Sequence, residues 1–330
     1  MSVSDDLDSR MNDEIEILLA AHNGDRFLTQ LLDSVINQTH ANWKMLVSDD
    51  SSQDRTTQII EDFASKDPRI TLLQGKGPYG SAKLNFYHLL ECSQAPYVAF
   101  CDQDDVWLPS KLEMCLNRMW EEEKARGSSS PMAVFSDLKV TDELGDIVSP
   151  SFVRYQGLDA SRTELHNLLL QNVAPGCSML INRSLAQLML RSCDRSRIYM
   201  HDWIAMLLAR VAGSIVYIEQ PLIEYRQHSD NSVGASSYSL ALAGKWLGKI
   251  DDMTQYYVLL QHQADELLCS YGDLMSKSQK QIIEAFAHLG SRCRASRVLD
   301  LIRYRLWKNK PMLVAGQLLC TMLEKRSSSF

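Results

Sequence analysis

Long apolar runs, an export signal and paired cysteines are all missing from this sequence, and each absence narrows what the chain can be. The longest nearly apolar stretch, Pro311 to Leu323, is interrupted by Gln317 and falls short of the roughly 20 residues that span a bilayer. Residues 1–16 carry Asp5, Asp6, Asp8, Asp13, Glu14 and Glu16 against Arg10 alone, so no secretory signal peptide is expected. Eight cysteines stand at 92, 101, 115, 177, 193, 269, 293 and 320 with no CxxC pair. A zinc ribbon or thioredoxin-like site is thereby excluded, which leaves buried or free thiols in a reducing cytoplasm. HExxH, GxSxG and GxxxxGK[ST] are absent, and Gly75-Lys76-Gly77 lacks the spacing of a dinucleotide fingerprint.

What is present fits a packed protein. The 330 residues are 45% apolar and 23% charged, enough for one large or two modest domains and unlike disorder, collagen or a coiled-coil rod. The net charge of −7 is uneven. Residues 291–330 hold nine Lys/Arg against two acids, a local balance of +7 that leaves −14 for the first 290. A basic tail on an acidic body points to an anionic partner for the tail. Nucleic acid is not expected, because the acidic body would repel a phosphate backbone.

The first 230 residues alternate short apolar runs with helical patterns. Ile15–Ala21, Trp43–Val47, Ile70–Leu73 and Tyr97–Cys101 read as strands, and helices follow from about Phe27, from Asp54 to Ala64, from about Ser81 and from Pro109. Beyond the loop Gly127–Pro131, strands are expected at Met132–Ser136, Cys177–Ile181, Ile215–Ile218 and Leu222–Tyr225, the last two parted by Pro221. Helices are expected at Ser184–Leu190, Asp202–Val211 and from Ser239 onward. Strand–helix alternation with short connections predicts an α/β fold, a mostly parallel sheet covered on both faces. Its ligand would lie at the carboxyl ends of the strands. The expected divisions are an acidic tail over 1–13, a sheet domain over 14–235 and a helical extension over 236–330.

Polar residues collect at those strand ends. Asp102-Gln103-Asp104-Asp105 follows a buried-looking strand. Carboxylates packed so densely repel one another unless a cation lies between them, and Mg²⁺ or Mn²⁺ bound together with phosphate oxygens is the usual answer. The plain alternative is a solvated acidic turn. Asp49-Asp50 could be no more than a helix cap. With His22-Asn23 on the neighbouring strand end, it also offers a ring to stack on a nucleobase and a carboxylate to accept its imide N–H. Lys83 and Asn85 could reach a diphosphate, or could simply be solvated residues of a helix start. Asp202, in His201-Asp202-Trp203, could cap its helix or act as a general base.

The ordered set Ala20-Ala21-His22-Asn23-Gly24, Val47 to Thr56, Phe100 to Leu112 and His201-Asp202-Trp203 resembles the inverting family 2 glycosyltransferases of the Rossmann-like GT-A fold over about residues 13–230. The resemblance implies a nucleotide diphosphate sugar as donor and a saccharide or lipid-linked glycan as acceptor. It implies nucleotide contacts from Ala20, His22, Asp50, Lys83, Asn85 and Asp102, metal contacts from Asp102, Asp104 and His228, and acceptor contacts from Gly176, Cys177 and Trp203. Asp202 matches the inverting base. The family usually has Tyr where this chain has His22. The QxxRW motif of processive synthases is absent; Tyr225-Arg226-Gln227-His228 stands after Asp202 instead. That string, with Asp-Gln-Asp-Asp-Val-Trp and Ala174-Pro175-Gly176-Cys177, is similar to bacterial rhamnosyltransferases of O-antigen and capsule assembly and implies dTDP-rhamnose as donor. Such enzymes are expected at the inner face of the cytoplasmic membrane. The basic amphipathic pattern of residues 291–330 would supply a peripheral anchor to anionic lipid or, alternatively, a helix docked on the protein. A nucleotidyltransferase and a non-catalytic sugar- or lipid-binding scaffold remain as alternatives.

Overall fold

A computed structural model describes residues 13–74, 77–228 and 250–323. The acidic residues before Asp13, Gly75 and Lys76 of the glycine loop, and Lys325-Arg326 lie outside these residues. The chain forms two compact units. The first comprises Met1–Phe152, Ala174–Leu190 and Ser214–Ala235; the second comprises Val153–Val173, Arg191–Gly213 and Ser236–Phe330. The division expected at 235/236 and the start of the helix expected from Ser239 lie outside the described residues; residues 153–173 and 191–213 group with the C-terminal helices.

The first unit is built on one sheet. Its strands are β1 (Ile15–Ala21), β2 (Trp43–Asp49), β3 (Ile70–Leu72), β4 (Tyr97–Cys101), β5 (Val106–Trp107), β6 (Met132–Thr141), β7 (Ile147–Ser149), β8 (Met179–Asn182) and β9 (Ser214–Arg226). They run in the order β3-β2-β1-β4-β8-β6-β9-β5, with β7 beside β6. The β3-β2-β1-β4 block is parallel, β8 is antiparallel to both neighbours, and β6 and β9 are parallel. Ile15, Ile17, Leu18 and Leu19 are fully buried, as are Val98 to Cys101. Near-continuous apolar strands of this kind belong to sheets covered on both faces. Helices α1 (Leu28–Ile36), α2 (Thr56–Ala64), α3 (Ala82–Cys92) and α4 (Lys111–Arg126) make the crossovers. The α1 helix faces the core with Leu28, Leu31, Leu32 and Val35, the spacing of one helical stripe.

Register sets the site. Leu19 pairs with both Val47 and Cys101, and Ala21 pairs with Asp49. β1 and β2 therefore end level and β4 ends two residues earlier, so the residues just beyond them (His22, Asp50 and Asp102) share one edge of the sheet.

Some expected elements differ. Ile215–Ile218 and Leu222–Tyr225 are one strand, Ser214–Arg226. Pro221 has no N–H to donate, and the ladder shifts register where it faces Asp137, absorbing the gap without ending the strand. The strand expected at Met132–Ser136 runs on to Thr141. Residues 176–178 form a 3₁₀ turn ahead of β8, and the helix expected at Pro109 begins at Lys111.

The second unit is helical: α5 (Phe152–Tyr155, at its junction with the first unit), α6 (Leu165–Leu168), α8 (His201–Ala212), α9 (Ile250–Tyr271), α10 (Lys277–Ala287), α11 (Arg294–Arg303) and α12 (Pro311–Leu323), while α7 (Arg183–Met189) lies in the first unit. The α8 helix is buried nearly all round, from Trp203 to Ala209. The α9 helix fixes the segment before it. Glu266, 1% exposed, accepts hydrogen bonds from the Cys193 and Asp194 amides and the Ser192 and Ser270 hydroxyls. Gln263 accepts from the Tyr199 amide.

In the basic C-terminal pattern, Arg297 is 1% exposed, and its guanidinium donates to the carbonyls of Gly290, Arg292 and Thr321. It is a structural tie between α11 and the end of α12, not part of a lipid-facing basic stripe. Leu301 and Leu306 are also buried, whereas Leu299 and Ile302 are exposed. Among the described residues no helix is long and apolar enough to cross a membrane. The eight cysteines are free thiols; Cys101, Cys115, Cys177 and Cys320 are buried.

Candidate active site

The turn after β1 is stitched to its neighbours from both sides. The His22 amide donates to Gln103 Oε1 and Gln103 Nε2 returns a bond to the His22 carbonyl, each at 2.8 Å. Gly24 makes that bracket possible: a Cβ there would lie 2.4 Å from Gln103 Oε1. On the other side the Asn23 amide donates to Ser52, the Gly24 amide to Thr56 Oγ1 and the Gln53 amide to Asn23 Oδ1. Asp54, expected to cap α2, accepts from the Thr56 and Asp25 amides; the capping position itself is Arg55. Within this frame the imidazole of His22 is exposed, with Nδ1 2.8 Å from the Asp50 carbonyl.

The Asp50 carboxylate accepts hydrogen bonds from the amides of Tyr79 and Gly80. Its two oxygens thus hold the loop that precedes α3. Ser81 caps that helix by accepting from the Leu84 amide. Lys83 is half-buried in the first turn. Asn85 is not at the surface. It is 1% exposed, and its Nδ2 donates to the Ser48 carbonyl at 2.9 Å. It braces β2 from beneath and does not reach outward to a diphosphate, which corrects the expectation for this residue.

Asp102, Gln103 and Asp104 are partly exposed, and Asp105 is fully buried. His228 Nε2 lies 2.8 Å from Asp104 Oδ2, and both side chains are largely covered, 8% and 14% exposed. Phe27 packs against the His228 ring, centroids 4.9 Å apart. The loop is held by Arg226, 4% exposed. Its amide donates to Asp105 Oδ1, Nε to the Asp104 carbonyl, and its terminal nitrogens to Glu143 O and Gln30 Oε1. Burial, then the charges of Asp104 and Asp102, push the Asp105 carboxyl well above the usual range. The nearby Lys111 ammonium, buried over the Trp107 ring at 3.2 Å from its centroid, is pulled below its usual value by that burial.

Gly176 and Cys177 are fully enclosed in this unit. One donor atom each from Asp102, Asp105 and Cys177 lie within 4.8 Å of one another. These two residues back the acidic loop from inside, which corrects their expected role at an acceptor. Trp203, in the second unit, is 4% exposed and donates from Nε1 to the Leu168 carbonyl; it too is core. Sequence reasoning missed Gln103 and Arg226 as the residues that hold the acidic loop. The signal for Arg226 was the Tyr-Arg-Gln-His string.

Asp202 opens α8 in the second unit. The capping position is Met200, which makes no side-chain cap. Asp202 Oδ1 accepts from the Trp203 amide at 2.6 Å, so the carboxylate answers one of the open first-turn N–H groups while staying partly exposed. Its charge helps to raise the Tyr199 hydroxyl above its usual value, after burial. His201 beside it is 5% exposed, and burial holds its imidazole down to about 3.

Residues 16–186 match the sequence family Glycosyl transferase family 2. The chain is 27% identical over 229 residues to the dTDP-rhamnosyl transferase RfbG of Shigella flexneri, covering 66% of this chain and 74% of that protein. It is 28% identical over 172 residues to the UDP-Glc:alpha-D-GlcNAc-diphosphoundecaprenol beta-1,3-glucosyltransferase WfgD of Escherichia coli, covering 52% of this chain and 61% of that protein. It is 27% identical over 229 residues to the putative teichuronic acid biosynthesis glycosyltransferase TuaG of Bacillus subtilis, covering 69% and 84%. Among solved structures it resembles S. aureus TarS 1-349 in complex with UDP, with a TM-score of 0.54 at 15% identity over 83% of this chain and 70% of that one. It also resembles the mannosyltransferase PcManGT of Pyrobaculum calidifontis in complex with GDP-Man and Mn²⁺, with a TM-score of 0.52 at 14% identity over 92% and 79%. These structures share the GT-A fold that the resemblance implied. With more than half its length matched by the family model, the chain belongs to glycosyl transferase family 2.

Proposed function

We propose that this chain transfers rhamnose from dTDP-rhamnose, with inversion, to a saccharide carried on a lipid diphosphate during synthesis of a cell-surface polysaccharide. The observation that carries this reading is that the carboxyl ends of the parallel strands β1, β2 and β4 lie on one edge of the sheet, where they collect an exposed ring at His22, a carboxylate at Asp50 and the Asp102/Asp104 pair beside His228. The names of RfbG for the donor and WfgD for the acceptor support it.

In this reading the His22 ring and the Ala20 strand end flank the base. Asp50, which already accepts two neighbouring backbone N–H groups, accepts the imide N–H of thymine in their stead. Lys83 faces the diphosphate. The residues at 102, 104 and 228 fit a hard divalent cation. A carboxylate oxygen and an imidazole nitrogen 2.8 Å apart need a proton or a cation between them. Oxygen donors with one imidazole suit Mg²⁺ or Mn²⁺. When bound, such an ion supplies positive charge against the diphosphate leaving group. Asp202 accepts the proton of an acceptor hydroxyl as that oxygen attacks the anomeric carbon. The bond from that carbon to the nucleotide diphosphate breaks, and the diphosphate leaves with its electron pair. One displacement inverts the centre and needs no enzyme nucleophile. The exposed Leu299 and Ile302 of α11, beside Arg303, support a peripheral seat on the inner face of the cytoplasmic membrane.

The test is donor turnover. Purified protein with Mn²⁺ is given dTDP-rhamnose or UDP-glucose, and release of each nucleotide diphosphate is followed with and without a short prenyl-diphosphate GlcNAc acceptor. The expected result is acceptor-stimulated release of dTDP. Preferential release of UDP would refute rhamnosyl transfer, and release unaffected by any saccharide acceptor would refute transfer.

A further inference from the structure

The second unit contains a lysine whose environment the catalytic reading leaves unexplained. The Lys308 ammonium lies over two tyrosine rings of α9, 5.1 Å from the centroid of Tyr256 and 5.5 Å from that of Tyr257. Among the described residues no carboxylate pairs with it. Tyr257 is 5% exposed, and its hydroxyl is buried without a hydrogen-bond partner. The electron-rich ring faces offset part of the ammonium's lost hydration, but neither ring supplies an acceptor oxygen to it. A buried hydroxyl and a cation, both lacking a protein acceptor, call for an oxyanion.

The lysine is also held in place. The chain leaves α11 through Arg305, in the left-handed region at φ 54°. The amides of Arg305 and Leu306 donate back to Ile302 and Leu301, a Schellman closure in which Arg305 takes the place usual for glycine. Gln317 then clamps the segment from both sides, donating to the Leu306 carbonyl and accepting from the Lys308 amide. Arg162 donates to the Trp307 carbonyl and Asn309 to the Gly157 carbonyl. Four such bonds around one lysine pre-position its charge and reduce the ordering that a ligand would otherwise have to impose.

The same nest leads to the proposed base. Tyr256 packs edge-on against Tyr199, centroids 5.4 Å apart, and Tyr199 packs in turn on Trp203 at 5.6 Å. Tyr199 is close enough to Asp202 to feel its charge. Lys308 therefore stands two ring contacts from the carboxylate that would receive the acceptor's proton. Tyr199 and Tyr256 are both partly exposed, as rings that stack on a sugar must be.

We infer that Lys308, over the rings of Tyr256 and Tyr257, forms an anion subsite that holds a phosphate group of the acceptor while Tyr199 and Tyr256 flank its sugar. The inference rests on Asp202 being the base of the proposed transfer. Burial brings the Lys308 amine down to about 8, with Cys320 opposing that shift. The amine is therefore mostly charged at neutral pH and gains charge stabilisation when a phosphate arrives.

Inorganic pyrophosphate, titrated by calorimetry into the full-length protein in excess EDTA, probes the subsite without the divalent ion that the donor site needs. Pyrophosphate should bind wild-type protein, bind Lys308→Met at least tenfold more weakly, and bind Lys308→Arg within about threefold of wild type. It should also shield Lys308 from acetylation by acetic anhydride, read by peptide mass spectrometry. Asp202→Asn should bind pyrophosphate like wild type while losing turnover, so the subsite and the transfer reaction fail separately. Unchanged pyrophosphate affinity in Lys308→Met, with a melting temperature no lower than wild type, overturns the proposal. So does a Lys308→Met defect confined to flotation with phosphatidylglycerol vesicles, because the anion would then be a membrane headgroup.

Discussion

His201 offers the sharpest quantitative test, because it adjoins Asp202 and its burial has a calculable consequence. Its imidazole is 5% exposed and is held down to about 3 by burial, against 6.5 for the free side chain. Folding therefore keeps this ring neutral. Above pH 6.5 both folded and unfolded chains carry it neutral, and it contributes no pH dependence. Below 6.5 the unfolded chain takes up a proton that the folded chain refuses, so stability falls as pH falls and the loss levels off below about 3. At pH 5 the deficit is 1.5 units of 1.36 kcal/mol each, about 2 kcal/mol. A local measurement suits a two-unit chain better than a global unfolding free energy. Hydrogen exchange of the peptide covering 201–212, corrected for intrinsic rate, should show protection falling by about 2 kcal/mol more between pH 7.5 and 5 in wild type than in His201→Gln, which has no proton to accept. Because Asp202 depends on the first turn of α8, turnover should decline over the same interval in wild type and less steeply in the variant. Equal loss of protection in both proteins, or an NMR titration of the His201 ring with its midpoint above about 5, would refute the reasoning.

Asp104→Ala should abolish Mn²⁺-stimulated turnover while leaving the melting temperature unchanged or higher, since it relieves carboxylate crowding at Asp105; full activity in EDTA would contradict the metal role. Asp202→Asn should lower turnover by about 10²-fold or more with donor affinity kept, and a collapse of donor affinity measured by calorimetry would make it a binding residue instead. Competitive calorimetry should rank dTDP above UDP and GDP. Flotation should recover the protein with anionic but not zwitterionic vesicles, weakened by salt and by Leu299→Ser/Ile302→Ser; equal recovery of this variant and wild type would rule the exposed face of α11 out as an anchor.

The sheet was legible because its information is local. Apolar runs such as Ile15–Ala21 and Tyr97–Cys101 announce strands buried on both faces, and the polar clusters that end them announce the site edge. The long strand Ser214–Arg226 was not legible as one element, because Pro221 reads as a terminator wherever the partner strand cannot be seen. Only the register shift opposite Asp137 shows how the ladder steps past it. Grouping residues 153–173 and 191–213 with the C-terminal helices was equally hidden. It rests on ties such as Glu266 to residues 192–194, each bridging more than seventy residues.

The candidate site divides along the same line. His22, Asp50, Asp102 and Asp104 follow their strands directly, so residue type and strand end sufficed to gather them. Asn85 and Trp203 were misread because helix periodicity tells which side of a helix is apolar but not what a polar atom on the inner side bonds to. Asn85 Nδ2 is spent on Ser48 and Trp203 Nε1 on Leu168, which turns two plausible ligand contacts into braces. Arg297 shows the opposite error: counted as a charge, it belongs to a basic stripe. Both it and Arg226 are almost wholly buried, and each guanidinium is satisfied by carbonyls, joined for Arg226 by Gln30 Oε1. A buried guanidinium is tolerable only when its donors are spent in this way. Lys308 differs from both: it is half-buried, its ammonium meets two ring faces and no carboxylate among the described residues, and an anionic ligand is the partner proposed for it.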